Sequence, residues 1–530
     1  MFVAPRLFGR FGLCIAVALV VSRYGIAQPQ RAELTAKLRK TDGTPPPPAN
    51  LPELDKYRRE TILKKVPRDQ QGQAQVVPAA EIACLSESFA SDRLQQFQQM
   101  QQTETPRVIE VSQGTLRLAD VVTAVNDPEV MELVNGTAVI RLPLLVRPGA
   151  TLVIDGQQTP TVQLVTERGA FLASTGTLIV LDTTITSWSE EQHEATSFVE
   201  ADRFRPFVTA FAGSEIYCAE SRFEHLGYGA ASSYGFSMTS HPRRHTPETD
   251  GNWPTGMLVD NVFVGLYYGY YSFEARDVGI VGNQYLKCIR YGIDPHDRST
   301  RLVIAGNLAE GTIERHGIIG SREVNHSLIV NNVSRNNTKS GIMLDRQCSN
   351  NQIYGNQVYD NGNGIAIYES SNNRIEGNDV LFNDGNGVRI RNSVDVLLLD
   401  NTIVGNTGFA VSCESKRLDD HDKRVPRGDT YDQRTSADVF HNVMSHNVQG
   451  AFKGSAIHRL RVADVQTSID PETLFATAGG KHRNLPTPDD DPLGGDLTPF
   501  ADEFQAVENT PSPRLDIRLR PPGGTRPPRP

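Results

Sequence analysis

Seven consecutive residues, Tyr291-Gly292-Ile293-Asp294-Pro295-His296-Asp297, gather a phenol, two carboxylates and an imidazole. The combination suits proton transfer, because an imidazole changes charge near neutral pH and neighbouring carboxylates can orient it. Asp294-Pro295 alone would be an ordinary turn signal. What sets it apart is its setting, since cationic and aromatic side chains recur around it at a fixed period: Arg290, Arg315 and Lys339 in one series, Arg322 and Arg346 in another.

The period belongs to the elements that must position these groups. Glycines followed by an apolar residue occur at Gly269, Gly292, Gly317, Gly341, Gly364, Gly387 and Gly408, separated by 23, 25, 24, 23, 23 and 21 residues. A second series runs in step with it through Asn261, Asn283, Asn307, Asn332, Asn356, Asn378 and Asn401. Between them, apolar residues alternate with polar ones over four to six positions and then stop at Gly, Asn or Asp, the pattern of short strands and not of helices. A repeat of this length made of short strands predicts an all-β chain, a parallel β-helix whose coils are about 23 residues long. Leucine-rich repeats are the rival solenoid, but their leucine consensus is missing. Stacked coils would lie roughly 4.8 Å apart, and the asparagines would then hydrogen-bond from coil to coil.

Aligning coils on the glycine divides inside from outside. Residues one and three after it are apolar, as in Gly364-Ile-Ala-Ile-Tyr368, and should point inward. Those two and four after it should point out: Asp294/His296, Ile319/Ser321, Met343/Asp345, Ala366/Tyr368 and Arg389/Arg391. Five positions after come Asp297, Arg322, Arg346, Glu369 and Asn392, at the edge of that face. Two before are Arg290, Arg315 and Lys339; one before are Tyr291 and His316. A groove bordered by such columns would present repeated cations to a polymer with one carboxylate per sugar, and a planar guanidinium grips a carboxylate with two bonds. His225, in Phe223-Glu-His-Leu-Gly-Tyr228, fits a groove and a turn equally well.

The remaining stretches set the boundaries. A basic start (Arg6, Arg10), an apolar run from Phe11 to Val21 and the small-residue site Gly25-Ile26-Ala27 predict a cleaved signal peptide over residues 1–27 and a location outside the cytosol. The run is too short for a membrane span, and none is expected elsewhere. Residues 28–134 are expected to be a polar N-terminal arm and cap, extended up to about residue 80 around Pro45-Pro46-Pro47-Pro48, and residues 135–485 the β-helix. The 42-residue gap from Gly408 to Gly450 exceeds one coil and predicts an inserted loop at 414–434; the Pro- and Gly-rich 486–530 reads as a disordered tail. Five cysteines remain after the leader, an odd and scattered number that argues against a disulfide framework and leaves room for one or two bridges at most. No clustered His/Cys set suggests zinc. No glycine motif leads a strand into a helix, so no dinucleotide cofactor is expected. The net charge of −9 gives no reason to expect nucleic acid as a partner.

With these residues in place, the chain resembles the periplasmic mannuronan C-5-epimerases of alginate biosynthesis. The resemblance is carried by Tyr291-Gly-Ile-Asp-Pro-His-Asp297, by Gly317-Ile-Ile-Gly-Ser-Arg-Glu-Val324 and by Val388-Arg-Ile-Arg-Asn-Ser393, and spans roughly residues 135–460. It implies a right-handed parallel β-helix that converts β-D-mannuronate to α-L-guluronate within the polymer, located in the periplasm, with a place in a periplasm-spanning alginate secretion complex.

The resemblance also implies roles. Removing the C-5 proton builds a second negative charge on a group that already carries a carboxylate, so that carboxylate must be neutralised. Arg322 is the candidate for that task and for stabilising the enediolate-like intermediate. His296 is the candidate general base; Asp294 or Asp297 would orient it or shape the subsite. Reprotonation must come from the opposite face, from Tyr291 or water. Arg290, Arg315, Lys339, Asp345, Arg346, Tyr368 and Arg391 are expected to bind polymannuronate. No glycine- and aspartate-rich nonapeptide calcium repeat is present, and a required metal is not expected. Two other functions fit the same residues: a polyuronate lyase, in which the intermediate expels the 4-O-linked sugar, and a non-catalytic polysaccharide-binding protein of an export assembly.

Overall fold

The structure of the protein, a computed structural model, describes residues 53–68, 71–79, 91–240, 252–418, 431–467 and 514–517. Each regular coil contributes three short strands, as in Val278–Val281, Gln284–Leu286 and Tyr291–His296. Each pairs in parallel with its counterpart one coil on: Val303–Ala305, Leu308–Glu310 and Ile318–Ser321. The chain is therefore a parallel β-helix, as the period predicts.

The alternation read from the sequence decides what lies inside. Ile293, Ile318, Ile342, Ile365 and Val388, each one residue after the repeat glycine, stack in a single column with no solvent exposure. Burying each such side chain contributes about 1.5–3 kcal/mol. The repeat glycine itself is required by the closeness of the neighbouring coil. A Cβ on Gly292 would lie 2.5 Å from the Gly317 carbonyl oxygen, and one on Gly364 2.4 Å from that of Gly387.

The asparagines form the expected ladder. Asn332 Nδ2 and its backbone N–H both donate to Asn356 Oδ1 at 2.9 Å, and Asn356 repeats this on Asn378. The ladder passes from Asn401 directly to Asn442, 41 positions on, so the strands resume in register after the extra residues. Of the inserted segment, residues 419–430 lie outside the described residues. A further ladder, Asn337, Asn361, Asn383, Asn406 and Asn447, went unrecognised in the sequence; it satisfies the backbone at another turn of the same coils.

Two stretches differ from expectation. Residues 53–68 are not extended: Arg59–Leu63 is a short helix, whose Ile62 is fully buried with Val153, Ile179, Leu181 and Tyr217 while Arg59 pairs with Asp182 at 2.5 Å. An isolated helix of this length would be unstable, and docking onto the sheet supplies what propensity does not. The coils also begin before residue 135. The strand Arg107–Arg117 runs parallel to Leu144–Val146 and Ala150–Asp155 and antiparallel to Gly72–Pro78. The helix Leu118–Val125 follows, adding Leu118 and Val121 to the main core.

The leader lies outside the described residues. Of the tail, only Arg514–Ile517 is described, as a strand antiparallel to Arg459–Thr467. Cys218, Cys288, Cys348 and Cys413 are buried free thiols. Burial pushes Cys288, Cys348 and Cys413 up to about 12, where they are inert. Among the described residues, no helix is long and apolar enough to cross a membrane.

Candidate active site

The strand Tyr291–His296 holds the motif, and its neighbours on either side are Tyr268–Phe273 and Ile318–Ser321. Strand register carries the outward column from His296 to Ser321, then to Asp345, Tyr368 and Arg391 in successive coils. Each of these coils leaves its strand through a residue with positive φ: Asp297, Arg322, Arg346, Glu369 and Asn392, between 32° and 62°. Glycine or asparagine would adopt that conformation most readily. Charged residues occupy four of the five positions, and the turn directs them along the edge of the face.

A cleft of about 200 Å³ opens over this face, lined by Tyr268, Arg290, Tyr291, Asp294, His296, Arg315, His316, Ile319, Ser321, Met343, Asp345 and Arg346. His296 is bonded through Nδ1 to Asp297 Oδ2, and Asp297 Oδ1 lies 3.3 Å from Arg322 Nη1. Burial alone would raise the Asp297 carboxyl, but the His296 bond and the Arg322 charge outweigh it and hold it below the usual carboxylate range. An ionised Asp297 accepts the Nδ1 proton, which leaves the Nε2 lone pair of His296 for the cleft. That is the tautomer a general base requires.

Asp294 is 1% exposed, and burial pushes its carboxyl up to about 7 against the opposing pull of His296, a Ser321 hydrogen bond and Arg346. Its Oδ1 is buried without a hydrogen-bond partner, as is Oδ1 of Asp345. Unsatisfied buried acceptors of this kind are uncommon and costly unless a ligand completes them. Burial and the nearby Asp294 raise the Tyr291 phenol although Arg290 and Arg315 pull it down, so it keeps its proton through the neutral range.

The structure brings Tyr291, Asp294, His296, Arg290, Arg315, Asp345 and Arg346 to one cleft; Asp297, bonded to His296, and Arg322, bonded to Asp297, stand at its edge and do not line it. Three expected contacts lie elsewhere. Lys339 is exposed and continues the strand pairing beyond Arg315 through a 2.8 Å backbone bond, but it does not line the cleft. Tyr368 packs with Ile319, Met343 and Ala366 in a small apolar cluster. Arg391 is buried in a two-bond pair with Glu369, at 2.8 and 3.0 Å, and stacks 4.1 Å from the Tyr368 ring. The turn residue Glu369 neutralises the cation that the column would otherwise present. His225 lies outside the cleft, at a turn of positive φ.

Two further residues line the cleft: Tyr268, not singled out in the sequence, and His316, placed there beside Tyr291 in a column along the groove without a chemical role. Both occupy the position one before the repeat glycine, the column of Tyr291. Ring contacts join them through it, 5.0 Å from Tyr268 and 5.9 Å to a nearly parallel His316.

A parallel β-helix with an imidazole, buried carboxylates and guanidiniums along one groove defines a protein that acts on an acidic polysaccharide. Relatives agree. The chain is 38% identical over 405 residues to a mannuronan C5-epimerase of Pseudomonas aeruginosa, covering 76% of this chain and 74% of that one. It is 35% identical over 404 residues to that of Pseudomonas putida, covering 76% and 78%. A crystal structure of the periplasmic alginate epimerase AlgG superposes with a TM-score of 0.77 at 34% identity, covering 80% of this chain and all of that one. The chain belongs to the mannuronan C5-epimerase family. A family profile described as periplasmic copper-binding protein (NosD) also matches residues 251–456, the most regular coils. Among the described residues no group of three or more His, Cys, Asp or Glu is placed to hold a metal ion.

Proposed function

We propose that this protein converts β-D-mannuronate to α-L-guluronate within alginate, and that it does so in the periplasm. The observation that carries the reading is His296, tied through Nδ1 to an ionised Asp297, in a cleft walled by Arg290, Arg315 and Arg346. His296 Nε2 removes the C-5 proton. Arg322, held at the edge of the site by Asp297, supplies positive charge to the substrate carboxylate as the enediolate-like intermediate forms, which is stabilisation arranged in advance of the charge. The buried oxygens of Asp294 and Asp345 take hydrogen bonds from the sugar hydroxyls and fix the ring. The protonated Tyr291, or a water beside it, returns a proton from the opposite face. Arg290, Arg315 and Arg346 bind carboxylates of the chain. The periplasmic epimerase it superposes on supports the location; association with a secretion complex rests on the motif resemblance.

The test is proton NMR of polymannuronate incubated with the purified protein, following guluronate anomeric signals against those of unsaturated uronate. Guluronate without chain breakage is expected from the wild type and none from His296→Ala with an unchanged circular dichroism spectrum. Unsaturated ends would instead make the protein a lyase on the same scaffold, and a fully active His296→Ala would remove His296 from the reaction.

A further inference from the structure

The cleft holds a second histidine. His316 is 8% exposed, and its Nδ1 accepts the Ser340 backbone N–H at 3.0 Å. A ring nitrogen that accepts a backbone N–H carries no proton, so the proton of His316 sits on Nε2. Protonating Nδ1 as well would set two N–H groups against each other in a buried place, which keeps the ring neutral. His296 is the reverse case, with Nδ1 donating to Asp297 and Nε2 bare. Two imidazoles of opposite tautomer thus face one cleft.

We propose that His316 is a substrate-binding residue of this site, an uncharged Nε2–H donor to a hydroxyl or bridging oxygen of the bound uronate, and takes no part in proton transfer. The proposal rests on the epimerase reading. Its surroundings suit the role. Tyr291 stacks on the ring, holding its plane, and the charged residues that line the same cleft are Arg290, Arg315 and Arg346 with Asp294 and Asp345. Guanidiniums already serve the carboxylates. A neutral donor adds a contact to an uncharged oxygen, and because a neutral imidazole holds its remaining proton tightly, it offers no acid to the glycosidic oxygen. The intermediate is left to be reprotonated at carbon and is not driven to expel the neighbouring sugar.

The experiment measures KM, kcat and the pH profile of guluronate formation for H316Q, H316F and H316A, once the wild type has been shown to form guluronate; a wild type that forms none would remove the epimerase reading itself. Gln keeps an N–H near the Nε2 position, and Phe keeps the ring against Tyr291 without a donor. We expect H316F and H316A to raise KM about 5- to 10-fold, the worth of one neutral hydrogen bond, with kcat little changed. H316Q should stay near the wild type and keep both limbs of its pH profile. A folded H316F with wild-type KM would overturn the proposal, since only the ring would then matter. Loss of one pH limb in H316Q, or a fall in kcat to the level of H296A, would overturn it in the other direction by making His316 an acid or base.

Discussion

Arg322 Nη1 lies 3.3 Å from Asp297 Oδ1, and the other oxygen of Asp297 is bonded to His296 Nδ1. One carboxylate therefore links the candidate base to the candidate cation. Asp297 follows His296 directly in sequence, whereas Arg322 reaches it only because coils stack in register.

Asp297→Asn tests that link. An amide can donate to Nδ1, which would move the imidazole proton to Nε2 and remove the lone pair that faces the cleft. We expect kcat to fall roughly 10²- to 10⁴-fold, the range of a misassigned or missing general base. Initial rates by NMR check this; a rate within a few-fold of wild type would separate Asp297 from catalysis.

Arg322→Ala should reduce kcat by about 10²- to 10³-fold, the loss seen when one arranged donor to a developing oxyanion is removed. Arg322→Lys keeps the charge without the planar fork and should fall between the two. If instead only KM changes in both variants, Arg322 binds the polymer and does not stabilise the intermediate.

Asp294 carries a stability cost with a definite pH dependence. Its folded pKa of about 7 lies above the unfolded value of about 3.9, so between these limits the folded state holds a proton that the unfolded state has released. Stability from this group is fully present below about pH 4, declines as pH rises to about 7 and is constant above. At pH 8 the buried charge costs on the order of a few kcal/mol. Asp294→Asn should therefore melt higher than wild type at pH 8, with the gap closing near pH 4.5, while guluronate formation falls. Thermal melts at the two pH values decide it, and a variant less stable than wild type at pH 8 would contradict the burial argument.

Arg391→Ala should leave KM for polymannuronate unchanged but destabilise the fold by about 3–5 kcal/mol, because it strands Glu369 as a buried charge. Urea denaturation beside steady-state kinetics separates the two effects. A raised KM with an unchanged denaturation midpoint would return Arg391 to the substrate.

Much of this was written in local order. The glycine and asparagine periods carry the β-helix, since a strand pattern recurring at one coil's length leaves stacking as the way to bury it. The inward column from Ile293 to Val388 follows from alternation alone, and the tautomer of His296 depends on its immediate neighbour. Periodicity also contains the column of Tyr268, Tyr291 and His316, although nothing in it marks which members face a cavity.

What only the stacked structure decides is which charges are spent on one another. Arg346 and Arg391 occupy closely related positions two coils apart, yet Arg346, bonded to Asp345 at 3.2 Å, lines the cleft, and Arg391 is buried against Glu369. Lys339 continues the column of Arg315 and still misses the cleft, and the short helix around Ile62 exists only because the sheet beneath it is there. A period fixes where a side chain starts; pairing, burial and tautomer depend on what the adjacent coil places within about 3 Å of its end, and that neighbour lies some two dozen residues away in the chain.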